Sequence, residues 1–425
     1  MLIEFRVGNY RSFRKEQTLS LSATRITEFP ENVAYHPAPG LSLLKTMAIY
    51  GANSSGKSNL LRAMGWMKHL VFSSFQLRSS EEISYDPFLL DQDGKRSPTT
   101  FEVLFVAGNR TYRYGFEHDA HAFTEEWLFD HTDRKDGEEE PLFLRVADGI
   151  QVFDAFPEGE KLESRTRDNA LFLSVVDQFD GAIARDIIAW FNNFNPVDGL
   201  GHTDYRTMTF SMLEAPETRS RLIKFYRDLD LGFDDILIDK APFDPRQLPF
   251  TVPDEVIEQM KADMEGSMMA TLNSVHSVLA GEGGTSAVRF NVRTQESSGT
   301  NKVIDLSGPV FDTLRNGGVL IVDELDAKLH PHLTIAIIRL FQLDSTNPHH
   351  AQLIFATHNT NVLSLGRLRR DQIIFAEKGR DQATRIYPLV NYRIDDRKVR
   401  KDNSFEKDYL LGRYGGIPSI QELAN

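Results

Sequence analysis

The groups in this sequence best suited to chemistry are a lysine, a serine, two adjacent carboxylates and a histidine, each where an apolar run gives way to a polar turn. Gly51-Ala52-Asn53-Ser54-Ser55-Gly56-Lys57-Ser58 fits G-x-x-x-x-G-K-[ST] at every position. That spacing lets the backbone N–H groups of Gly51, Asn53, Ser54, Ser55 and Gly56 curl around phosphates, while the following helix points its positive end at them. Lys57 would reach the β- and γ-phosphates of ATP and the Ser58 hydroxyl would ligate Mg2+, with Asn59 next in the opening turn. The other reading is a glycine-rich turn that merely caps a helix; the strand before it and the helix after it favour the phosphate loop.

Val319-Leu320-Ile321-Val322 reads as a fully buried parallel strand that delivers Asp323 and Glu324 at its C-terminal end, where ligands sit in open α/β sheets. Asp323 would hold magnesium, and Glu324 would polarise the attacking water as general base. Many strands end in Asp-Glu, so the pair gains its meaning from the phosphate loop. Leu353–Thr357 is a third apolar run, ending at His358, 34 residues after Glu324. One helix and one strand fit in that interval, so the two motifs are expected on neighbouring strands, with His358 on the γ-phosphate.

Positioning these groups requires a particular framework. Residues 2–7 alternate as a strand, and Leu43–Tyr50 reads as a strand running into the glycine loop. Leu60, Met64, Met67 and Val71 recur at helical spacing after it. Phe101, Val103 and Phe105, then Gly108-Asn109, then Tyr112, Tyr114 and Phe116 spell a hairpin. Further short strands are expected near 121–130 and 141–153, giving an antiparallel β subdomain within 85–155. Residues 181–265 read as mainly helical, with a proline-rich link at Ala241–Pro253, and 269–292 as strands around a GEGG turn. From there the chain alternates helix and strand in the α/β manner.

The chain has 425 residues, 41% hydrophobic and 26% charged, which reads as a globular class with room for an inserted subdomain. No cysteine is present, which excludes disulfides, thiolate zinc sites and cysteine nucleophiles. The first residues alternate rather than forming a signal peptide, and no run of 18 apolar residues suggests a membrane span. The expected setting is the cytoplasm, away from membranes. The net charge of −13 disfavours non-specific DNA binding by the molecule as a whole. Local basic groups occur at Arg367, Arg369 and Arg370, and at Arg393, Arg397, Lys398, Arg400 and Lys401; a solvated surface of mixed charge is the favoured reading for both.

Together these motifs resemble the ABC-type ATPases of the SMC, RecF and OLD branch. Val7-Gly8-Asn9-Tyr10-Arg11-Ser12-Phe13 is similar to that branch's N-terminal "NFRSF" signature, which implies that Arg11 reaches the nucleotide. Glu296-Ser297-Ser298-Gly299-Thr300 lies where the ABC signature L-S-G-G-Q is expected, 25 residues (counted from Ser298) before Asp323. Ser297 and Gly299 keep the family's residue types, whereas Glu296, Ser298 and Thr300 depart from them. By sequence alone this stretch could equally be a helix N-cap. Leu325-Asp326 resembles the D-loop and His358 the switch histidine. The run Asp323–Pro331 and the stretch Tyr409–Pro418 resemble the stand-alone RloA-like ATPases of bacterial phage-defence operons.

The resemblance implies an α/β fold: an ABC-ATPase head with a mixed central sheet, an antiparallel β subdomain and an inserted helical subdomain. The corresponding division is 1–180, 181–265 and 266–425. It implies a head-to-tail homodimer holding two ATP and Mg2+, with Ser297, Ser298, Gly299 and Thr300 completing the partner's site and Asp326 of the D-loop binding the nucleotide; higher oligomers are left open. The function implied is a regulatory ATPase of an anti-phage or toxin–antitoxin system controlling a separately encoded effector, a nuclease in the first instance. About 65 residues follow His358, too few for a fused nuclease domain of TOPRIM size. The alternative is a RecF-like repair ATPase that binds DNA directly. A partner is expected on the 181–265 insertion, through Phe243, Pro245 and Phe250.

Overall fold

A computed structural model describes residues 1–35, 41–132, 139–199, 205–242, 268–279, 285–394, 397–399 and 404–417. The chain divides into two compact units, Met1–Leu200 with Val310–Asn425, and Gly201–Pro309.

The first unit holds two large sheets. One has six strands in the order Phe194–Asp198, Val319–Asp323, Gln352–Ala356, Thr46–Tyr50, Ile373–Lys378 and Thr384–Pro388. All neighbours are parallel except the last pair. The runs TMAIY and QLIFA are buried along their whole length, as expected for strands covered on both faces. The second sheet is antiparallel with seven strands: Gly149–Val152, Glu140–Val146, Phe123–Asp130, Arg110–His118, Thr99–Ala107, Leu2–Gly8 and Gln17–Ser20. The expected hairpin pairs Ala107 with Arg110 across Gly108-Asn109. The antiparallel subdomain is larger than 85–155, because the N-terminal strand pairs with Thr99–Ala107 and extends it.

Helix Lys57–Ser73 packs on the parallel sheet with one face and reaches strand Leu2–Gly8 of the other sheet. Its inward residues Leu60, Met64, Met67 and Val71 are buried, so the 3.6-residue period marks the core face. Helix Ala182–Asn192 closes the antiparallel sheet, with the Trp190 ring stacked on Phe105 at 4.1 Å between centroids. The stretch Leu43–Tyr50 is two strands rather than one. It breaks at Lys45, whose buried ammonium donates to the carbonyls of Glu31 and Gln342 and to Asp344.

The second unit contains helices Arg206–Glu214 and Pro216–Asp228 and a three-stranded antiparallel sheet, Asp235–Pro242, Met268–Leu279 and Thr285–Asn291. A bidentate pair from Arg206 to the fully buried Asp305 ties the first of these helices to the long helix Ser298–Asn316. The inserted segment is therefore not all helical. Helix Ala182–Asn192 belongs to the first unit, and Asp235–Pro242 is a strand whose apolar run Ile236-Leu237-Ile238 is flanked by Asp235 and Asp239. Phe243, Pro245 and Phe250 and the GEGG turn lie outside the described residues. Among the described residues no helix is long and apolar enough to cross a membrane.

Candidate functional site

Strands Val319–Asp323, Gln352–Ala356 and Thr46–Tyr50 are consecutive neighbours in the parallel sheet. Parallel strands end on the same side, so the three motifs that follow them emerge together at the C-terminal edge.

The phosphate loop is shaped from behind by protein. A Cβ at Gly51 would lie 2.4 Å from the Ala376 carbonyl oxygen, and one at Gly56 (φ 104°) would lie 2.1 Å from Thr384 Oγ1. Only glycine fits either position. Helix Lys57–Ser73 starts at Gly56 with no side-chain cap, leaving its first amides to whatever anion arrives. Asn53 and Ser54 are exposed, whereas Ser55, Gly56 and Lys57 are buried. The Lys57 ammonium, 6% exposed, donates to the Gly51 carbonyl at 2.8 Å and the Ala52 carbonyl at 3.1 Å. Burial lowers its pKa; the carboxylates of Asp323, Glu324 and Asp326, all within electrostatic reach, pull it back up.

Asp323 Oδ1 is buried and accepts no hydrogen bond among the described residues, and the Ser55 hydroxyl is likewise buried without a partner. Buried polar atoms of this kind normally find a donor, an ion or water. A carboxylate at Asp323 and a hydroxyl at Ser58 are the hard oxygen donors that suit magnesium with phosphate and water. Glu324 sits in the left-handed region at φ 51°, a strained conformation for a non-glycine residue that concentrates at functional turns. Asp326 Oδ1 accepts from the His358 amide at 3.3 Å, which joins the D-loop to the histidine loop. Partial burial and then the Lys57 charge lower the His358 pKa, opposed by Asp326, Glu324 and Asp323, so the imidazole is neutral near pH 7. His330 and Pro331 have a local role: the His330 side chain accepts the His332 amide as N-cap of Pro331–Gln342, with proline at the first helical position.

Arg11, at φ 49°, does not lie free. Its Nε and Nη2 donate to Asp86 Oδ2 at 3.0 and 2.7 Å. With Ser12, Asn59, Asp86, Phe88 and Lys378 it lines a cavity of about 460 Å³ beside the start of the phosphate-loop helix. Asn59 Nδ2 donates to Ser12 Oγ at 2.9 Å, and Thr384 Oγ1 lies 2.8 Å from that hydroxyl and 2.9 Å from the Ser55 carbonyl oxygen. Ser12 and Thr384 are site residues that sequence reasoning missed; the N-terminal motif pointed at Ser12, but nothing marked Thr384. Gly199 was missed as well: its amide donates to the Asp323 carbonyl at 2.9 Å, and a Cβ there would lie 2.1 Å from that oxygen.

The signature residues are carried by the Gly201–Pro309 unit. Ser297 Oγ accepts the Thr300 amide at 3.0 Å, so this stretch is an N-cap of helix Ser298–Asn316, one of its two expected readings. Ser297 and Ser298 are exposed. Glu296, where the family pattern has leucine, turns inward and takes Ser274 Oγ at 2.5 Å and His276 Nε2 at 2.9 Å.

Of the first basic cluster, Arg369 and Arg370 are paired internally, whereas Arg367 stays exposed at the surface as expected. Arg369, 2% exposed, forks onto Asp371, Arg370 pairs with Glu28 and Arg367 with Glu31. Of the second cluster, Arg400 and Lys401 lie outside the described residues.

The family described as "AAA domain, putative AbiEii toxin, Type IV TA system" matches residues 47–364. No curated protein matches. Two solved structures of the recombination mediator protein RecF, RecF-ATPrS and RecF-ATP, are each similar at 12% identity. The first covers 91% of this chain and 98% of the RecF chain with a TM-score of 0.32, the second 84% and 93% with 0.29. Likeness of that size does not bear on the chemistry of the site. The matched span takes in the phosphate loop, the Asp323-Glu324 pair and His358, and on that span the chain belongs to the AbiEii-type AAA-domain family.

Proposed function

We propose that this chain binds and hydrolyses ATP with magnesium, and that it uses the cycle to control a separate effector in a bacterial defence or toxin–antitoxin system. The observation that carries the reading is the convergence of Lys57, Asp323, Glu324 and His358 at one edge of three neighbouring strands, with a buried carboxylate oxygen left open among them. Lys57 and the uncapped amides after Gly56 bind the phosphates. Asp323 and Ser58 hold the metal, which neutralises charge on the transferring phosphoryl group when bound. Glu324 takes the proton of the attacking water, and neutral His358 donates a hydrogen bond at the γ-phosphate. The nucleoside extends toward the cavity lined by Arg11 and Asn59.

The regulatory part rests on the family, whose description couples the AAA domain to a toxin–antitoxin system. A head-to-tail homodimer completes the site with Ser297 and Gly299 of a second copy; an effector nuclease is the expected partner. The first test is phosphate release by the purified chain. Wild type should hydrolyse ATP, and chelation of divalent metal should abolish the activity. Glu324→Gln should keep ATP binding and lose on the order of a hundredfold or more in rate. Hydrolysis by Glu324→Gln at the wild-type rate would remove the catalytic assignment.

A further inference from the structure

After its last strand in the parallel sheet, the chain returns to the phosphate loop. Helix Phe405–Leu410 places Tyr409 against Tyr50, edge-on at 5.6 Å, and against Phe375, stacked at 5.4 Å. Tyr50 and Phe375 are register partners on adjacent strands, and Gly51 follows Tyr50 directly. The Tyr409 hydroxyl donates to the Gly416 carbonyl at 3.2 Å, which holds Gly416 in place beside the phosphate loop. A Cβ on Gly416 would come within 3.6 Å of the Gly51 α-carbon. The approach needs the consecutive left-handed residues Gly415 and Gly416, at φ 69° and 64°. The turn is fixed by its own bonds: Tyr414 OH donates to Asp408 at 3.1 Å, and Tyr387 OH donates to the Tyr414 carbonyl at 2.8 Å.

The same short helix also reaches the histidine loop. Glu406 Oε1 accepts from Thr360 Oγ1 at 3.0 Å, two residues past His358. Between them, the Asn359 carbonyl accepts from Tyr50 OH at 3.1 Å. The His358 loop thus has three tethers, Asp326 on the His358 amide, Tyr50 on Asn359 and Glu406 on Thr360. Two of these lead back to the phosphate-loop strand or to its brace. On the other side, Gly51, whose α-carbon Gly416 approaches, is the residue whose carbonyl takes the Lys57 ammonium.

We propose that residues 404–417 brace the phosphate loop and the His358 loop in one geometry, with Tyr409 and Glu406 as positioning residues for ATP turnover. The proposal rests on the ATPase reading above. Tyr409 acts through Gly51 and Lys57, so its hydroxyl sets nucleotide affinity. Glu406 acts through Thr360 and His358, so its carboxylate sets the rate of the chemical step.

The test uses the full chain with Tyr409→Phe, Glu406→Ala and Glu406→Gln, reading ATP affinity, turnover and nucleotide-free deuterium exchange. Tyr409→Phe keeps the ring contacts and loses the hydroxyl; its ATP Kd should rise about fivefold with kcat within twofold of wild type, as for one lost hydrogen bond. Glu406→Ala should lower kcat about fivefold with Kd unchanged, and Glu406→Gln, which still offers Thr360 an acceptor oxygen, should restore it. Exchange should quicken at 47–57 in Tyr409→Phe and at 357–366 in Glu406→Ala. Variants that match wild type in exchange and kinetics would overturn the brace, as would loss of affinity, rate and thermal stability together, which marks mere support of the fold. A wild-type chain that fails to bind ATP would overturn the ATPase reading itself, and the brace with it; that failure is seen in the wild type alone.

Discussion

Replacing Lys57 by methionine isolates the charge that the site presents to phosphate. The methionine stem fills nearly the same buried volume, so the substitution removes the ammonium without opening a cavity. In the structure that ammonium is almost wholly desolvated and bonded to two loop carbonyls at 2.8 and 3.1 Å. Its desolvation is therefore already met before nucleotide arrives. Binding exchanges the carbonyl bonds for phosphate oxygens. A unit charge pair about 4 Å apart at an effective dielectric of about 20 is worth about 4 kcal/mol, and the carbonyl bonds given up offset about 1–2 kcal/mol. The remaining ~2–3 kcal/mol corresponds to roughly a 30- to 150-fold weaker ATP Kd. Calorimetric titration of ATP into both proteins reads that ratio, and a melting curve of each shows whether the fold survives. A Lys57→Met chain that melts within a few degrees of wild type and binds ATP within about threefold of it would refute the assignment of Lys57 to the phosphates.

Three further outcomes follow from the same coordinates. His118 is 1% exposed among Phe101, Phe116 and Phe123, and burial lowers its pKa below the ordinary 6.5. Its contribution to stability is intact above pH 6.5 and is lost as pH falls through the folded-state pKa, at about 1.4 kcal/mol for each unit of lowering. The drop in melting temperature between pH 7.5 and 5.5 should therefore be smaller in His118→Phe than in wild type, and an equal drop would exclude His118 as its source. Trp190→Ala removes a ring stacked on Phe105 and should cost about 3–5 kcal/mol in urea unfolding; a cost under about 1 kcal/mol would mean that the helix is not part of the core. Lys57→Met chains mixed with Ser297→Arg chains, each inactive alone, should recover about half the activity of a wild-type dimer in the mixed species, because a site shared between copies leaves one site intact. No recovery with proven subunit mixing would count against a shared site.

The motifs were legible because each is local. Four or five apolar residues followed by polar ones describe a covered parallel strand and the groups at its end, and that pattern alone sets Lys57, Asp323, Glu324 and His358 at or just beyond strand ends. Their adjacency was legible too, since 34 residues between Glu324 and His358 leave room for one helix and one strand. The strand Asp235–Pro242 was missed because its apolar run, Ile236-Leu237-Ile238, is only three residues long and lies beside helices with stronger periodicity. Arg369 was misjudged for another reason: a run of arginines reads as exposed, and only the fold brings the carbonyls of Glu28 and Thr24 to it. Thr384 left no trace in the sequence, and Tyr409 was marked only as the first residue of a family-like stretch with no role attached, since a single hydroxyl far along the chain carries no period or spacing.

Those untraceable residues change what the phosphate loop is. Its glycines are the motif's signature, and the usual account gives them to the phosphates. Here both are also demanded by protein, Gly51 by the Ala376 carbonyl and Gly56 by Thr384 and Ser12. A loop packed from behind by a strand and by the N-terminal motif needs no nucleotide to take its shape. On the proposed reading, the Lys57 ammonium, resting on loop carbonyls, stands where phosphate oxygens would come. Binding is then substitution within a formed site, and the ordering cost that weakens flexible loops is small. The nucleotide state must accordingly be read by groups in front of the loop rather than by the loop itself. Those groups are Glu324 in its strained turn, Asp326 on the His358 amide, and His358, which lies within electrostatic reach of both Lys57 and the three carboxylates. On the proposed ATPase reading, hydrolysis would remove the group they share, and a chain with a rigid phosphate loop would still switch.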